Sequence, residues 1–167
     1  MATPDSSAMF RRVLFLCSGN YYRSRFCEEH FNHHAAAGRL GWQAISRALL
    51  PKPATRNPGP MSPFAVEYLR QRGIRPINHL RLPLEVTEFD WNTSDVLIAM
   101  NDAQHRPLVE SAWPRHAARV RYWTVADLDE LAPAPALHRL QRYVTSLVDE
   151  LAAARHSYAA VAERLAI

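Results

Sequence analysis

The residues with the clearest chemical potential lie together near the start of the chain: Cys17-Ser18-Gly19-Asn20-Tyr21-Tyr22-Arg23-Ser24. A cysteine is the strongest nucleophile among ordinary side chains once it is a thiolate. An arginine six residues on carries a planar fork of donors that matches two oxygens of a phosphate. Gly19 and Asn20 between them are residue types that tolerate a left-handed backbone, as a tight loop demands. Ser24 adds a hydroxyl that can donate to sulfur, which stabilises the thiolate and makes sulfur a better leaving group from a phosphocysteine. The chemistry this pattern suits is attack of Cys17 on phosphorus, with the loop from Ser18 to Ser24 cradling the phosphoryl oxygens.

Such a cradle requires particular neighbours. The apolar run Val13–Cys17 has strand length and ends at the turn-prone Ser18-Gly19-Asn20. Residues 23–38 then read as a helix, with Phe26, Cys27, His30, Phe31 and His34 on one stripe and Gly38 and Gly41 stopping it. A strand running through a loop into a helix turns backbone N–H groups and the positive end of the helix dipole toward one point, which is an anion site. The same site stabilises a thiolate.

The rest of the chain alternates in the same manner. Residues 43–50 predict a second strand, and 51–60, with four prolines, a stiff loop. Ser62-Pro63 opens a helix with a stripe of Phe64, Ala65, Tyr68 and Leu69, ended by Gly73. Residues 95–100 read as a strand covered on both faces, 102–112 as a helix interrupted by Pro107, and 120–125 as a strand. From about 134 to 165 the pattern is helical, with Leu137, Leu140, Val144, Leu147, Val148 and Leu151 facing inward. Strands alternating with helices predict an α/β sandwich around a parallel sheet of about four strands.

The 167 residues fit one domain over 11–167, behind a short polar tail at 1–10 expected to be mobile. The net charge is +4, almost all of it arginine, with Lys52 the sole lysine; this suits an anionic substrate. No basic block with interleaved aromatics points to nucleic acid. No apolar run approaches the roughly 20 residues of a membrane span, and no signal-peptide core follows Arg11-Arg12. Two cysteines, Cys17 and Cys27, are too few for a disulfide scaffold. The expected setting is cytoplasmic, with no nucleic-acid or membrane partner and a monomer or weak homodimer.

The stretch VLFLCSGNYYRS resembles the phosphate loop of the low-molecular-weight protein tyrosine phosphatases. The similarity runs over about residues 11–155, through Ser46, the helix Phe64–Ile74, the His79 region, DVLIAMNDAQH and VADLDE. The resemblance implies a flavodoxin-like three-layer sandwich with strand order 2-1-3-4. It implies two-step hydrolysis of a phosphomonoester through a phosphocysteine, with no metal and no cofactor. Carried over, Cys17 is the nucleophile, Arg23 the clamp, and Asn20, Ser24, Ser46 and His79 the network that supports the loop. The substrates so implied are a phosphorylated protein or a small aryl phosphate.

The reaction also needs an acid to protonate the leaving oxygen. Asp127 matches the family's position, though the family's following proline is absent here; Asp129 is the alternative. Other departures are Tyr22, where many members carry a second loop cysteine, Arg25 in place of a proline, and Asn101 in place of an aspartate. The Arg25 change is expected to matter little, because a helix start accepts either residue. Tyr21 and Trp123 are candidates for the pocket wall, with Trp123 better read as core. Three other functions compete. A non-catalytic phosphate-binding module would keep the cradle and lose the acid. An arsenate reductase relaying a disulfide would need cysteines beyond Cys27, and none is present. Cys27, His30 and His34 share one helical face at zinc-like spacing, but no fourth ligand is evident, and packing is the simpler reading.

Overall fold

The computed structural model describes residues 10–52, 56–127 and 131–165. Four strands form one parallel sheet: β1 (Arg11–Cys17), β2 (Trp42–Ala48), β3 (Val96–Ala99) and β4 (Val120–Tyr122), in the expected order β2-β1-β3-β4. The helices are α1 (Arg23–Ala37), α2 (Pro63–Gln71), α3 (Glu88–Asn92), α4 (Asp102–Ala112) and α5 (Pro133–Leu165). β1 ends at Cys17 as expected and β3 lies within a residue of its expected limits, but β2 ends at Ala48 and β4 at Tyr122, short of the expected 50 and 125, because the chain there leaves the sheet; the flavodoxin-like α/β sandwich stands.

β1 lies at the centre, and its period-2 alternation decides the architecture. Val13, Phe15 and Cys17 face α1, α2 and α5, where Phe26, Phe31, Leu69, Leu140 and Val144 are fully buried. Leu14 and Leu16 face the opposite layer with Trp91, Leu97 and Val109. Each fully buried Leu or Phe of these layers is worth about 1.5–3 kcal/mol against exposure. A strand buried on both faces must read as an unbroken apolar run, and VLFLC does.

Several elements depart from expectation. α3 escaped the sequence reading because it has five residues; its capping box is complete, with Thr87 and Asp90 each bonding the other's backbone. Phe64 on α2 is exposed, so only Ala65, Tyr68 and Leu69 of its stripe are buried. Gly73 takes φ +73 just past α2, the left-handed turn that favours glycine.

After Tyr122 the chain hooks across the top of the sheet. Trp123 N–H donates to Ala99 O at 2.9 Å, and Val125 N–H donates to Met100 O at 2.9 Å. This path carries Val125 and Asp127 to the carboxyl end of β1, where an open α/β sheet places its ligand.

Candidate active site

The loop between β1 and α1 gets its shape from the outside. The carbonyls of Cys17 and Ser18 accept from Leu49 N–H and Leu50 N–H at 2.9 and 3.0 Å. Gly19 O accepts from Asn57 Nδ2 at 3.0 Å, and Tyr21 O from Ser62 N–H at 2.9 Å. In a planar trans peptide the next N–H points opposite to each carbonyl. Carbonyls tied outward therefore turn amides inward. The amide of Asn20 lands on Cys17 Sγ at 3.2 Å. Asn20 itself sits at φ +50, the one left-handed residue of the loop.

Cys17 is buried at the base of a cavity of about 280 Å³, walled by Gly19, Tyr21, Tyr22, Arg23, Asn57 and Asp127. Its Sγ lies 3.0 Å from Ser24 Oγ. Asn20 Nδ2 donates to Ser24 Oγ at 3.1 Å and to Ser46 Oγ at 2.8 Å. The structure thus brings Asn20, Ser24 and Ser46 together in one connected set of hydrogen bonds.

His79 is not part of it. Its Nδ1 bonds Pro76 O at 2.9 Å, away from the loop. Arg81 occupies that role. Its Nη1 donates to Asn20 Oδ1 at 3.1 Å, and its Nη2 to Ser46 Oγ at 3.2 Å and to Glu28 Oε2 at 2.9 Å. Leu84 N–H also donates to Asn20 Oδ1, at 3.0 Å, and Ser46 Oγ–H donates to Glu28 Oε2. Asn20 Oδ1 thus accepts twice, which orients the amide and leaves Nδ2 for the two serines. Arginine is donor-only and always charged, so the direction of these bonds does not depend on a tautomer.

Arg25 overturns the expectation that its replacement of proline matters little. It is fully buried and donates to Pro60 O, Arg81 O and Asn78 O at 2.9, 2.8 and 2.6 Å. Burial, with Arg81 nearby, pulls its pKa down to about 10. Glu29 accepts from Ile77 N–H and Asn78 N–H. α1 therefore pins the segment that delivers Arg81 and Leu84. The signal was in the sequence: Arg25, Glu28 and Glu29 are charges on a helix whose neighbours are core residues. Arg81 carried no local signal.

On the other side of the cavity Arg23 is 1% exposed. Its Nη1 donates to Gln104 Oε1 at 2.8 Å and to Val125 O at 2.9 Å, and its Nη2 bonds Asp127 Oδ2 at 2.8 Å. Its buried Nε has no hydrogen-bond partner. A buried, unpaired donor on a guanidinium is costly unless a ligand supplies the acceptor. Asp127, at 37% side-chain exposure, stands where a second oxygen of a bound anion would meet the fork. Asp129 lies outside the described residues, as do residues 1–9 of the expected tail.

Ser18 meets His105. Asn101 N–H donates to His105 Nδ1 at 3.0 Å, so the ring proton is on Nε2, which donates to Ser18 Oγ at 3.1 Å. Burial, helped by Arg23, pulls the His105 pKa down to about 3, so the ring is neutral at working pH. Asn101 caps α4 by accepting from Gln104 N–H, which sets Gln104 against Arg23. Sequence reading missed Glu28, Arg81, Gln104, His105 and Asn57.

Trp123 packs between Phe15 and Tyr143, at ring separations of 5.7 and 4.8 Å, and so belongs to the core. Tyr21 and Asn57 form the rim instead. Cys27 is fully buried 3.6 Å from Met100 Sδ, and His30 stacks on Phe26. Among the described residues no group of three His, Cys, Asp or Glu side chains is placed to hold a metal.

A family model for low molecular weight phosphotyrosine protein phosphatase matches residues 12–132. No curated protein sequence matches the chain. A low molecular weight protein tyrosine phosphatase from T. tengcongensis is similar at 25% identity and TM-score 0.67, over 84% of this chain and 97% of that one. SP-PTP from Streptococcus pyogenes has 18% identity and TM-score 0.70, over 84% and 93%. YwlE from Bacillus subtilis has 22% identity and TM-score 0.66, over 87% and 99%; another structure describes YwlE as an arginine phosphatase.

Proposed function

The chain belongs to the low molecular weight phosphotyrosine protein phosphatase family, and on that premise we propose that Cys17, Arg23 and Asp127 carry out a two-step hydrolysis of a phosphate monoester. The family makes it a cysteine-dependent phosphatase; the roles of individual residues are our reading. One observation carries it. Cys17 Sγ receives Asn20 N–H and contacts Ser24 Oγ at the base of a cavity whose wall holds Arg23 and Asp127.

Phosphate enters and takes the place of Asp127 on Arg23 Nη2, while Nε gains the acceptor it lacks. The guanidinium keeps its orientation because Gln104 Oε1 and Val125 O hold Nη1. Cys17 sulfur attacks phosphorus, an S–P bond forms, and the P–O bond to the leaving group breaks. Asp127, displaced from the fork, takes the proton carried by the entering phosphate monoanion and gives it to the leaving oxygen as the P–O bond breaks. Charge on the equatorial oxygens is stabilised by Arg23 and the inward amides. Asp127 then takes a proton from water, which attacks phosphorus and releases sulfur. Ser24 Oγ–H stabilises the departing thiolate.

Tyr21 and Asn57 at the rim favour a flat substituent on the phosphate, which fits a phosphotyrosyl protein or a small aryl phosphate. The description of YwlE as an arginine phosphatase puts phosphoarginine in the substrate panel. Both cysteines are free thiols, and a reaction that needs reduced sulfur suits the reducing cytoplasm. No helix among the described residues is long and apolar enough to cross a membrane.

The test is hydrolysis of para-nitrophenyl phosphate over pH 4–8, with Cys17→Ser protein as blank. We expect Cys17-dependent turnover that is absent from the blank. Phosphate binding without turnover at any pH would overturn the catalytic reading in favour of a binding module.

A further inference from the structure

Tyr22 was expected only to contribute to the cradle, yet its side chain does something separate. It is 3% exposed, and its Oη–H donates to Pro133 O at 3.2 Å. Pro133 opens α5 and is the point at which the chain leaves the acid-bearing segment. Burial, with Asp127 nearby, raises the Tyr22 phenol well above its ordinary pKa, so the hydroxyl remains a donor throughout the working range. Arg23, the very next residue, holds the other end of the same segment through Val125 O and Asp127 Oδ2. Leu131 N–H donates to Asp127 O at 2.9 Å, a further link between the two ends.

We propose that Tyr22 is a positioning residue for the general acid: through Pro133 O it fixes the return end of the segment that carries Asp127. This rests on the reading of Asp127 as the acid. The arrangement makes neighbouring residues of the phosphate loop grip both ends of the acid segment. When phosphate displaces Asp127 from Arg23, one side-chain tether at the entrance is lost. Val125 O and the tether at Pro133 remain, and the carboxyl stays over the leaving oxygen. Tyr22 stands where many relatives have a cysteine, whose side chain is too short to carry a hydrogen bond to a second segment.

A misplaced acid costs most where the leaving group most needs a proton. The measurement is therefore kcat/KM for a series of substituted phenyl phosphates, plotted against leaving-group pKa, for wild type, Tyr22→Phe and Asp127→Asn. The Phe variant keeps the ring and removes only the donor. We expect its kcat/KM to fall about three- to tenfold more for phenyl phosphate than for para-nitrophenyl phosphate, so that the slope steepens. The inhibition constant for inorganic phosphate should change less than twofold, which would show the cradle intact. Asp127→Asn should steepen the slope further. A Tyr22→Phe slope parallel to wild type, beside a steepened Asp127→Asn slope, overturns the role of Tyr22 and leaves Asp127 as the acid. Parallel slopes for both variants overturn the acid reading itself. A uniform loss across the series with weakened phosphate binding assigns Tyr22 a merely structural role and also overturns the proposal.

Discussion

The two sides of the phosphate loop are built on opposite principles. On the Asn20 side the polar groups that hold the loop pair with one another. Asn20 joins Ser24 and Ser46 to Arg81, and the Arg81 charge is met by Glu28, which is 6% exposed. On the Arg23 side the account is open: Nε has no partner, and Nη2 is met by a carboxylate that also reaches solvent. A satisfied buried network is rigid, because any displacement strands a polar group. An unsatisfied donor opposite an exchangeable carboxylate is a place where an anion gains more than it disturbs. The first side holds the shape, and the second exchanges partners with substrate.

The largest effect comes from removing the atom on which both sides converge. Cys17→Ser should lower kcat by on the order of 10⁵–10⁶-fold, the scale seen when a covalent nucleophile is lost. Phosphate should still bind, as isothermal titration would show. Breaking the exchanging side comes next. Arg23→Lys keeps the charge but loses the fork and its anchors on Gln104 and Val125, so kcat should fall about 10²–10³-fold. A kcat near wild type would mean that the fork does not meet the substrate, and the contrast between the sides would collapse.

The rigid side should behave in the opposite way. Arg81→Met strands Glu28 and frees the Asn20 amide, so urea unfolding should report a loss of about 2–4 kcal/mol. Glu28→Gln combined with Arg81→Met should cost less than the sum of the two single changes, because no buried charge is left unpaired. His79→Ala should leave both stability and kcat near wild type, since its ring bonds only Pro76 O in this network's neighbourhood.

The smallest effect is a pH slope. Burial, with His34 and His33 close by, pulls the His30 pKa down to about 4, and His105 falls to about 3. Unfolded, both take a proton near pH 6.5, so between pH 6.5 and about 4 the unfolded chain binds more protons than the native one. Stability is therefore complete above pH 6.5 and declines as pH falls through that window, by at most about 1.4 kcal/mol per pH unit for each ring. His30→Leu should flatten the slope in urea midpoints taken at pH 7, 6 and 5, because both His30 ring nitrogens are buried without partners. An unchanged slope would place the titration elsewhere.

The legible parts of the molecule were those in which chemistry is local. The Cys17–Ser24 loop announced itself because nucleophile, turn residues and clamp are consecutive. The strand order followed from the resemblance, and the elements from period-2 and helical patterns that lie within each segment. The illegible parts join segments far apart in the chain. His79 and Arg81 differ by two residues, and no pattern near them states which one meets Asn20. Arg25 looked like a tolerated change at a helix start, but burial turned it into the anchor of residues 60, 78 and 81. Tyr22 looked like one more member of the cradle, and only the placement of Pro133 gave its hydroxyl a partner.

The sequence alone determined that a thiol, an anion cradle and a guanidinium would share one loop between a buried strand and a helix. Backbone geometry and side-chain type force that outcome within eight residues. Only the tertiary structure decided which groups hold the loop open and which one faces the substrate. Those choices depend on where distant donors and acceptors come to lie once water is excluded, and a buried polar group is worth little or much according to whether its partner is there.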